Sequence, residues 1–286
     1  MKKMKRILTI LMATLVLMSS IGLAASAASL RKLDLAFVVD TTGSMSDDIR
    51  QVKADMKEYL NDLDESGMDF RIAIVDYRDF PARSGSVDYP YRVQIDFTSD
   101  YDAILSGIEG LSIGGGGDWE ETVYSALIDG VNELSWRSDA GKAAILMGDA
   151  PALDPEPYTG YTADDAIESL KTGNIAKEDH LKSMALASAN QAYTPMANTR
   201  SAITLFAIAT NSDARVVENF DYLAKGTGGE TYTLTGGVSD ISKIIEEIIE
   251  VIPEIVENPQ PTLWERIKAF FLKVWYFITF QWSKLA

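Results

Sequence analysis

The sequence predicts a doubly wound α/β domain with a mostly parallel, Rossmann-like sheet and one antiparallel edge strand. Three observations carry this. Short apolar runs alternate with helical patterns over roughly residues 33–252. The runs at 33–39 (LDLAFVV), 71–75 (RIAIV), 143–147 (AAILM) and 203–209 (ITLFAIA) are apolar on both faces, as strands covered on two sides must be. The run at 91–97 (YRVQIDF) alternates instead, which marks an edge strand with one wet face.

The elements follow in order. Residues 1–27 read as a secretory leader of bacterial type: a basic start (MKKMKR), twelve apolar residues (ILTILMATLVLM) and a small-residue cleavage site (ASA). The apolar run is shorter than the roughly 20 residues a membrane span needs, so the protein is expected to be exported, secreted or associated with the cell envelope. The first strand (33–39) leads through DTTGSMS into a helix at 46–63. A strand at 71–75, the edge strand and a helix at 100–109 follow. The loop SIGGGGDWEET then opens a helix at 121–134. After the strand at 143–147 come Gly148 and Asp149, a helix at 163–190, the strand at 203–209, a helix at 214–225, a weaker strand at 230–234 and a helix at 239–252. PEIVENPQP (253–261), with three prolines in nine residues, reads as a linker. The tail at 262–286 is an amphipathic, aromatic helix. Trp264, Ile267, Phe270, Phe271, Trp275 and Trp282 share one face and five charges interrupt its length, a pattern that fits a membrane interface or a docking surface better than a span.

Composition narrows the function. Without the leader's four positive charges, 22 basic residues face 42 acidic ones. A binder of nucleic acid or of an anionic membrane has the opposite sign. The chain has no cysteine, so neither disulfides nor a thiolate metal site holds it together.

The turn after the first strand asks for more than turn chemistry. Asp40 is followed within six residues by Thr41, Thr42, Ser44 and Ser46. Ser46, Asp47 and Asp48 suit a helix start and its dipole. Asp40, Thr42 and Ser44 suit something else, because ligands of open α/β sheets bind at the carboxyl ends of strands. Asp149 stands at a second such end, and Asp118 or Thr122 in the glycine-rich loop supplies a third group. Oxygen donors without nitrogen or sulfur select a hard divalent cation, Mg²⁺ above all, with Mn²⁺ or Ca²⁺ possible in the same cage.

Asp-x-Thr-x-Ser after a buried strand, the later glycine-rich loop and Gly-Asp after a central strand together resemble the von Willebrand factor A (VWA) domain. AIVDYRDF (73–80), GGGGDWEE (114–121) and LAKGTGGETY (223–232) also resemble this family, in the right order over nearly all of 33–252. The resemblance implies a metal-ion-dependent adhesion site (MIDAS) in which Thr42 and Ser44 ligate directly and Asp40 and Asp149 act largely through water. The family pattern has a neutral Thr in the second loop. Here Asp118 takes the aligned position, with Thr122 the alternative. The implied function is binding of a protein partner that offers a carboxylate or other oxygen to the ion, without catalysis. Tyr158, Tyr161 and Trp119 are the candidate contact residues around it.

Two rival readings fit less well. DTTGS resembles the Asp-Lys-Thr-Gly-Thr of phosphorylated transport ATPases, but the lysine is missing. Related phosphatases need a second Asp where Thr42 stands. The sole histidine, His180, lies inside the predicted helix 163–190 and offers no Ser-His-Asp arrangement. The other rival is a metal-free structural or assembly module of a cell-envelope complex.

Overall fold

The computed structural model describes residues 32–65, 68–85, 87–173, 202–234, 244–245 and 247–248. The leader, most of the helix expected at 239–252, the linker, the tail helix and His180 lie outside the described residues. Six strands form one sheet: β1 (Lys32–Asp40), β2 (Asp69–Tyr77), β3 (Arg92–Thr98), β4 (Gly141–Gly148), β5 (Thr204–Ala209) and β6 (Thr231–Thr233), in the order β3-β2-β1-β4-β5-β6. β1 pairs in parallel with β2 and β4, and β5 in parallel with β4 and β6. Only β3 runs antiparallel, on β2 at the sheet edge, where the alternating pattern of 91–97 places it.

The helices are α1 (Ser46–Glu65), the single turn α2 (Pro81–Ser84), α3 (Tyr101–Glu109), α4 (Val123–Ser125), α5 (Ala163–Thr172) and α6 (Ala214–Thr227). α4 continues through a π-helical turn, Ala126–Gly130, so the helix expected at 121–134 starts later and is wound more loosely. Side chains of the strands alternate between two cores. Leu33, Leu35, Phe37 and Val39 of β1 pack with Met45, with Ile49 and Val52 of α1 and with Ile104 and Ile108 of α3. Ala36 and Val38 face the other way, toward Val123, Leu127, Phe220 and Leu223 of α4 and α6. That two-sided burial is why the central runs are apolar throughout.

The chain winds from β1 outward to β3, then crosses back to place β4 on the other side of β1. The winding reverses between β1 and β4. A crevice opens at such a switch point, outside the carboxyl ends of the strands, and the last residue of β1 is Asp40.

Candidate functional site

Asp40 is fully buried. Its Oδ1 accepts hydrogen bonds from the backbone N–H of Thr42 (2.8 Å) and from Thr42 Oγ1 (2.7 Å), so the acid folds its own following turn. Thr42 Oγ1 lies 3.3 Å from Ser44 Oγ, and Ser44 Oγ donates to Asp149 Oδ1 at 3.1 Å. Four predicted residues therefore form one chain of oxygens across the β1/β4 gap. Thr41 points elsewhere and donates to the buried Asp76, and Asp47 pairs with Arg50. Asp149 stands just past β4, where its carbonyl accepts from the Asn211 side chain.

The chain of oxygens has one loose end. Asp40 Oδ2 is buried and has no hydrogen-bond partner among the described residues. Burial, then the charge of Asp149, pushes the Asp40 carboxyl from 3.8 up to about 7. Asp48 feels Asp149 as well: burial first, then that charge, raises it to about 6. The sequence reading assigned Asp48 to the helix dipole; it also contributes to the field of the site. Tyr77, whose hydroxyl is buried and unbonded, is raised by burial and then by Asp40, Glu121 and Asp149. No lysine or arginine among the described residues forms an ion pair with Asp40, Asp149 or Glu121. The crevice thus gathers carboxyls whose ionised forms no lysine or arginine among the described residues compensates.

The two alternatives for the second-loop ligand are both engaged elsewhere. Asp118 is exposed and forms an ion pair with Arg83 of α2. Thr122 is buried, with its Oγ1 donating to the carbonyls of Arg78 (3.0 Å) and Pro90 (2.7 Å). The acid of this loop that turns inward is Glu121, which the sequence reading did not single out. Its backbone is clamped to the segment after β4, Glu121 N to Pro151 O at 3.0 Å and Leu153 N to Glu121 O at 2.9 Å. Its side chain lies beside Gly116 and Thr42: a Cβ on Gly116 would stand 3.3 Å from Glu121 Oε1 and 3.0 Å from Thr42 Cβ. Glu121 Oε2 is buried without a partner. Burial, then Asp40, Asp79, Asp88 and Asp149, push its carboxyl up to about 10. Gly115 and Gly116 both have positive φ (75° and 76°), a backbone that glycine alone adopts without strain. That is what lets the loop fold flat against Thr42.

The donor set fits a small hard cation. Cis oxygens of an octahedron with metal–oxygen distances of 2.0–2.1 Å lie about 2.9 Å apart. The successive oxygens here are 2.7, 3.3 and 3.1 Å apart, and the unbonded Asp40 Oδ2 lies at the head of the series. No three His, Cys, Asp or Glu side chains among the described residues converge as a metal cage. An ion would therefore rest on two hydroxyls backed by acids, and would keep part of its charge.

Of the proposed contact residues, Tyr158 is half exposed and stacks edge-on against Phe80, while Tyr161 is buried and donates to Asp129. Tyr161 is a core residue. Trp119 packs partly against the second core, with the Arg215 guanidinium 3.5 Å over its ring.

A six-stranded, doubly wound and mostly parallel sheet with an oxygen-lined crevice at its switch point defines a Rossmann-like α/β domain. The chain belongs to the von Willebrand factor A domain family, whose model matches residues 34–236. Over 130 residues it is 30% identical to the alpha-protein kinase vwkA of Dictyostelium discoideum. That match covers 44% of this chain and 20% of the kinase, so the chain spans about a fifth of that relative. Among solved structures, the vWF domain of the type V pili tip protein Mfa5 from Porphyromonas gingivalis matches with a TM-score of 0.50 at 14% identity, over 80% of this chain and 97% of that one. Proximal thread matrix protein 1 from the mussel byssus matches with a TM-score of 0.48 at 15% identity, over 78% of this chain and 46% of its own. At these identities the Mfa5 likeness bears on the fold alone.

Proposed function

We propose that this VWA domain binds a partner protein through a divalent cation, Mg²⁺ with Mn²⁺ or Ca²⁺ as substitutes, held at the carboxyl ends of β1 and β4. Thr42 and Ser44 would offer it hydroxyl oxygens, with Asp40 and Asp149 behind them. Glu121 would supply the acid of the second loop, in place of Asp118 or Thr122. When bound, such an ion supplies an electrophilic position that one carboxylate oxygen from outside can fill. The observation that carries this reading is the buried, unbonded Oδ2 of Asp40 at the head of a chain of oxygens, with no lysine or arginine among the described residues paired to it. Binding suits the geometry better than catalysis. A fully buried carboxylate already bonded twice to Thr42 is poorly presented as a phosphoryl nucleophile. Export follows from the leader-like residues 1–27.

The test is the melting temperature of the full chain in EDTA and then in Mg²⁺, Mn²⁺ and Ca²⁺, beside Asp40→Ala. A rise with metal that the variant loses supports the reading, since a ligand of the native state alone stabilises it. Equal melting in every buffer would turn the interpretation to a metal-free assembly module.

A further inference from the structure

Three large apolar side chains among the described residues are half exposed or more: Val87 (62%), Tyr158 (50%) and Tyr222 (52%). Tyr222 lies on α6 and donates its hydroxyl to Asp164. The other two flank the turn α2, which borders the glycine-rich loop of the site. Val87 follows α2 on a fixed backbone. Its carbonyl accepts from Arg78 Nη1 at 2.9 Å, Asp88 N donates to Gly85 O at 3.1 Å, and Asp88 Oδ1 accepts from Gly116 N at 2.9 Å. A β-branched side chain held out on such a loop has little freedom left to lose on contact. Tyr158 reaches the start of α2, where its ring meets Phe80 edge-on with centroids 4.9 Å apart.

These contacts make α2 a ridge, with Tyr158 at one end and Val87 past the other. Its Arg83 grips Asp118 and approaches Asp79 to 3.5 Å. Its Ser84 lies so close to Gly117 that a Cβ there would come within 2.6 Å of it. The ridge and the site loop are one continuous surface. Charge differs sharply along it. At the N-terminus of α1, Asp47 is exposed and Asp48 sits in the field of Asp149. The ridge presents Pro81, Ala82, Val87 and Tyr158, and its one charge, Arg83, is already paired.

We propose that the ridge carrying Val87 and Tyr158, the latter braced on the buried Phe80, selects the partner. It takes a bulky aliphatic or aromatic side chain next in sequence to the carboxylate that enters the site. The preferred partner segment has a single acidic residue flanked by such a side chain, because a second acid would meet Asp48. This rests on the metal-dependent reading above, and one experiment separates the two. An array of acetylated octapeptides, each with one Asp and every residue type scanned beside it, is probed with the labelled full chain in Mg²⁺ and in EDTA. Wild type is compared with Val87→Asp and Tyr158→Ala. Leu, Ile or Phe beside the Asp should bind about tenfold more tightly than Ser, an increment a buried side chain of that size supplies. Both variants should lose that preference while keeping the wild-type melting response to Mg²⁺. A flat or basic preference in wild type, or no peptide binding despite a metal response, overturns the proposal. So does concentration-dependent self-association abolished by Val87→Asp, which assigns the ridge to a second copy. An apolar preference that Val87→Asp removes but EDTA leaves untouched upholds the ridge and overturns the metal reading instead.

Discussion

Replacing Asp40 with Asn should make the metal-free protein more stable at pH 8 and less stable at pH 4.5. In the fold, burial raises the Asp40 carboxyl from 3.8 to about 7. Each tenfold displacement is about 1.4 kcal/mol, so ionising Asp40 in the metal-free fold costs roughly 4 kcal/mol. The sign follows from linkage: the folded state holds the proton more tightly than the unfolded one, so stability falls as pH rises from about 4 to about 7 and is level above that. Asn keeps an Oδ1 for both Thr42 donors. Its amide, however, replaces the unbonded Oδ2 and is itself left without an acceptor, at a cost of about 1–3 kcal/mol at every pH. The variant should therefore start below wild type in acid and end about 1–3 kcal/mol above it in base.

The assay is urea unfolding in EDTA at pH 4.5, 6, 7 and 8, with wild type and Asp40→Asn side by side. Other raised acids shift both curves, so the difference between the two proteins is the quantity to follow. A difference that stays constant across this range would refute the reasoning: Asp40 would then be an ordinary paired carboxylate and its burial no strain at all. In Mg²⁺ the order at pH 8 should reverse, because only wild type gains the ion's stabilisation.

Other perturbations separate the site from its scaffold. Glu121→Gln should lack the fall in stability that wild type shows in EDTA as pH rises above about 4.5, because the fold holds the Glu121 proton up to about 10 while the unfolded chain releases it near 4.5; the same variant should weaken the melting response to Mg²⁺. Asp34→Ala, at the far end of β1, removes the acceptor of Arg71 (2.9 and 2.7 Å) and of Arg137 (2.9 Å). It should cost about 3–5 kcal/mol in urea unfolding, with the response to Mg²⁺ intact. Glu156 is buried beneath the loop that carries Tyr158, bonded to Ser125 and Thr159, and raised by burial from 4.5 to about 7. It contributes stability that is lost between about pH 4.5 and 7, so the Glu156→Gln stability curve should lack a fall of roughly 3 kcal/mol over that window.

How much of this was legible in the sequence depended on the range of the forces involved. β1, β2, β4 and β5 declare themselves because burial on both faces demands apolar residues at every position, and the alternation of 91–97 marks β3 because one of its faces is wet. Asp40, Thr42 and Ser44 are adjacent in sequence, and the Asp40–Thr42 turn that joins them is local. Asp149 followed from the rule that strand ends face the crevice. The loop at 114–122 resisted, because four glycines leave its path to be settled by partners far away in sequence. Arg83 draws Asp118 outward, the carbonyls of Arg78 and Pro90 take Thr122, and the pairing of Glu121 with 151–153 turns that side chain inward. None of these three contacts leaves a periodicity to read. Tyr161 shows the same limit from the other side. It stands in a polar, Pro-rich stretch that reads as surface, but its ring fills the core and its hydroxyl finds Asp129.

The acids of the crevice place stability and binding in opposition. Asp40, Asp48 and Glu121 are all raised by burial and by one another or by Asp149. A fold selected for stability alone would replace at least Asp40 and Glu121 with amides or apolar residues, as buried charge without a partner is among the costliest features a core can hold. Each acid also lies where a distinct chain segment ends: β1, the start of α1, and the glycine-rich loop, with Asp149 past β4. Ionised together, these acids would push the segments apart, and a cation among them would turn that repulsion into attraction. Neutral hydroxyls at Thr42 and Ser44 would limit that attraction, leaving charge on the ion for an oxygen from outside. On the proposed reading, the crevice would be tighter with an ion and satisfied only when a partner supplied the last ligand.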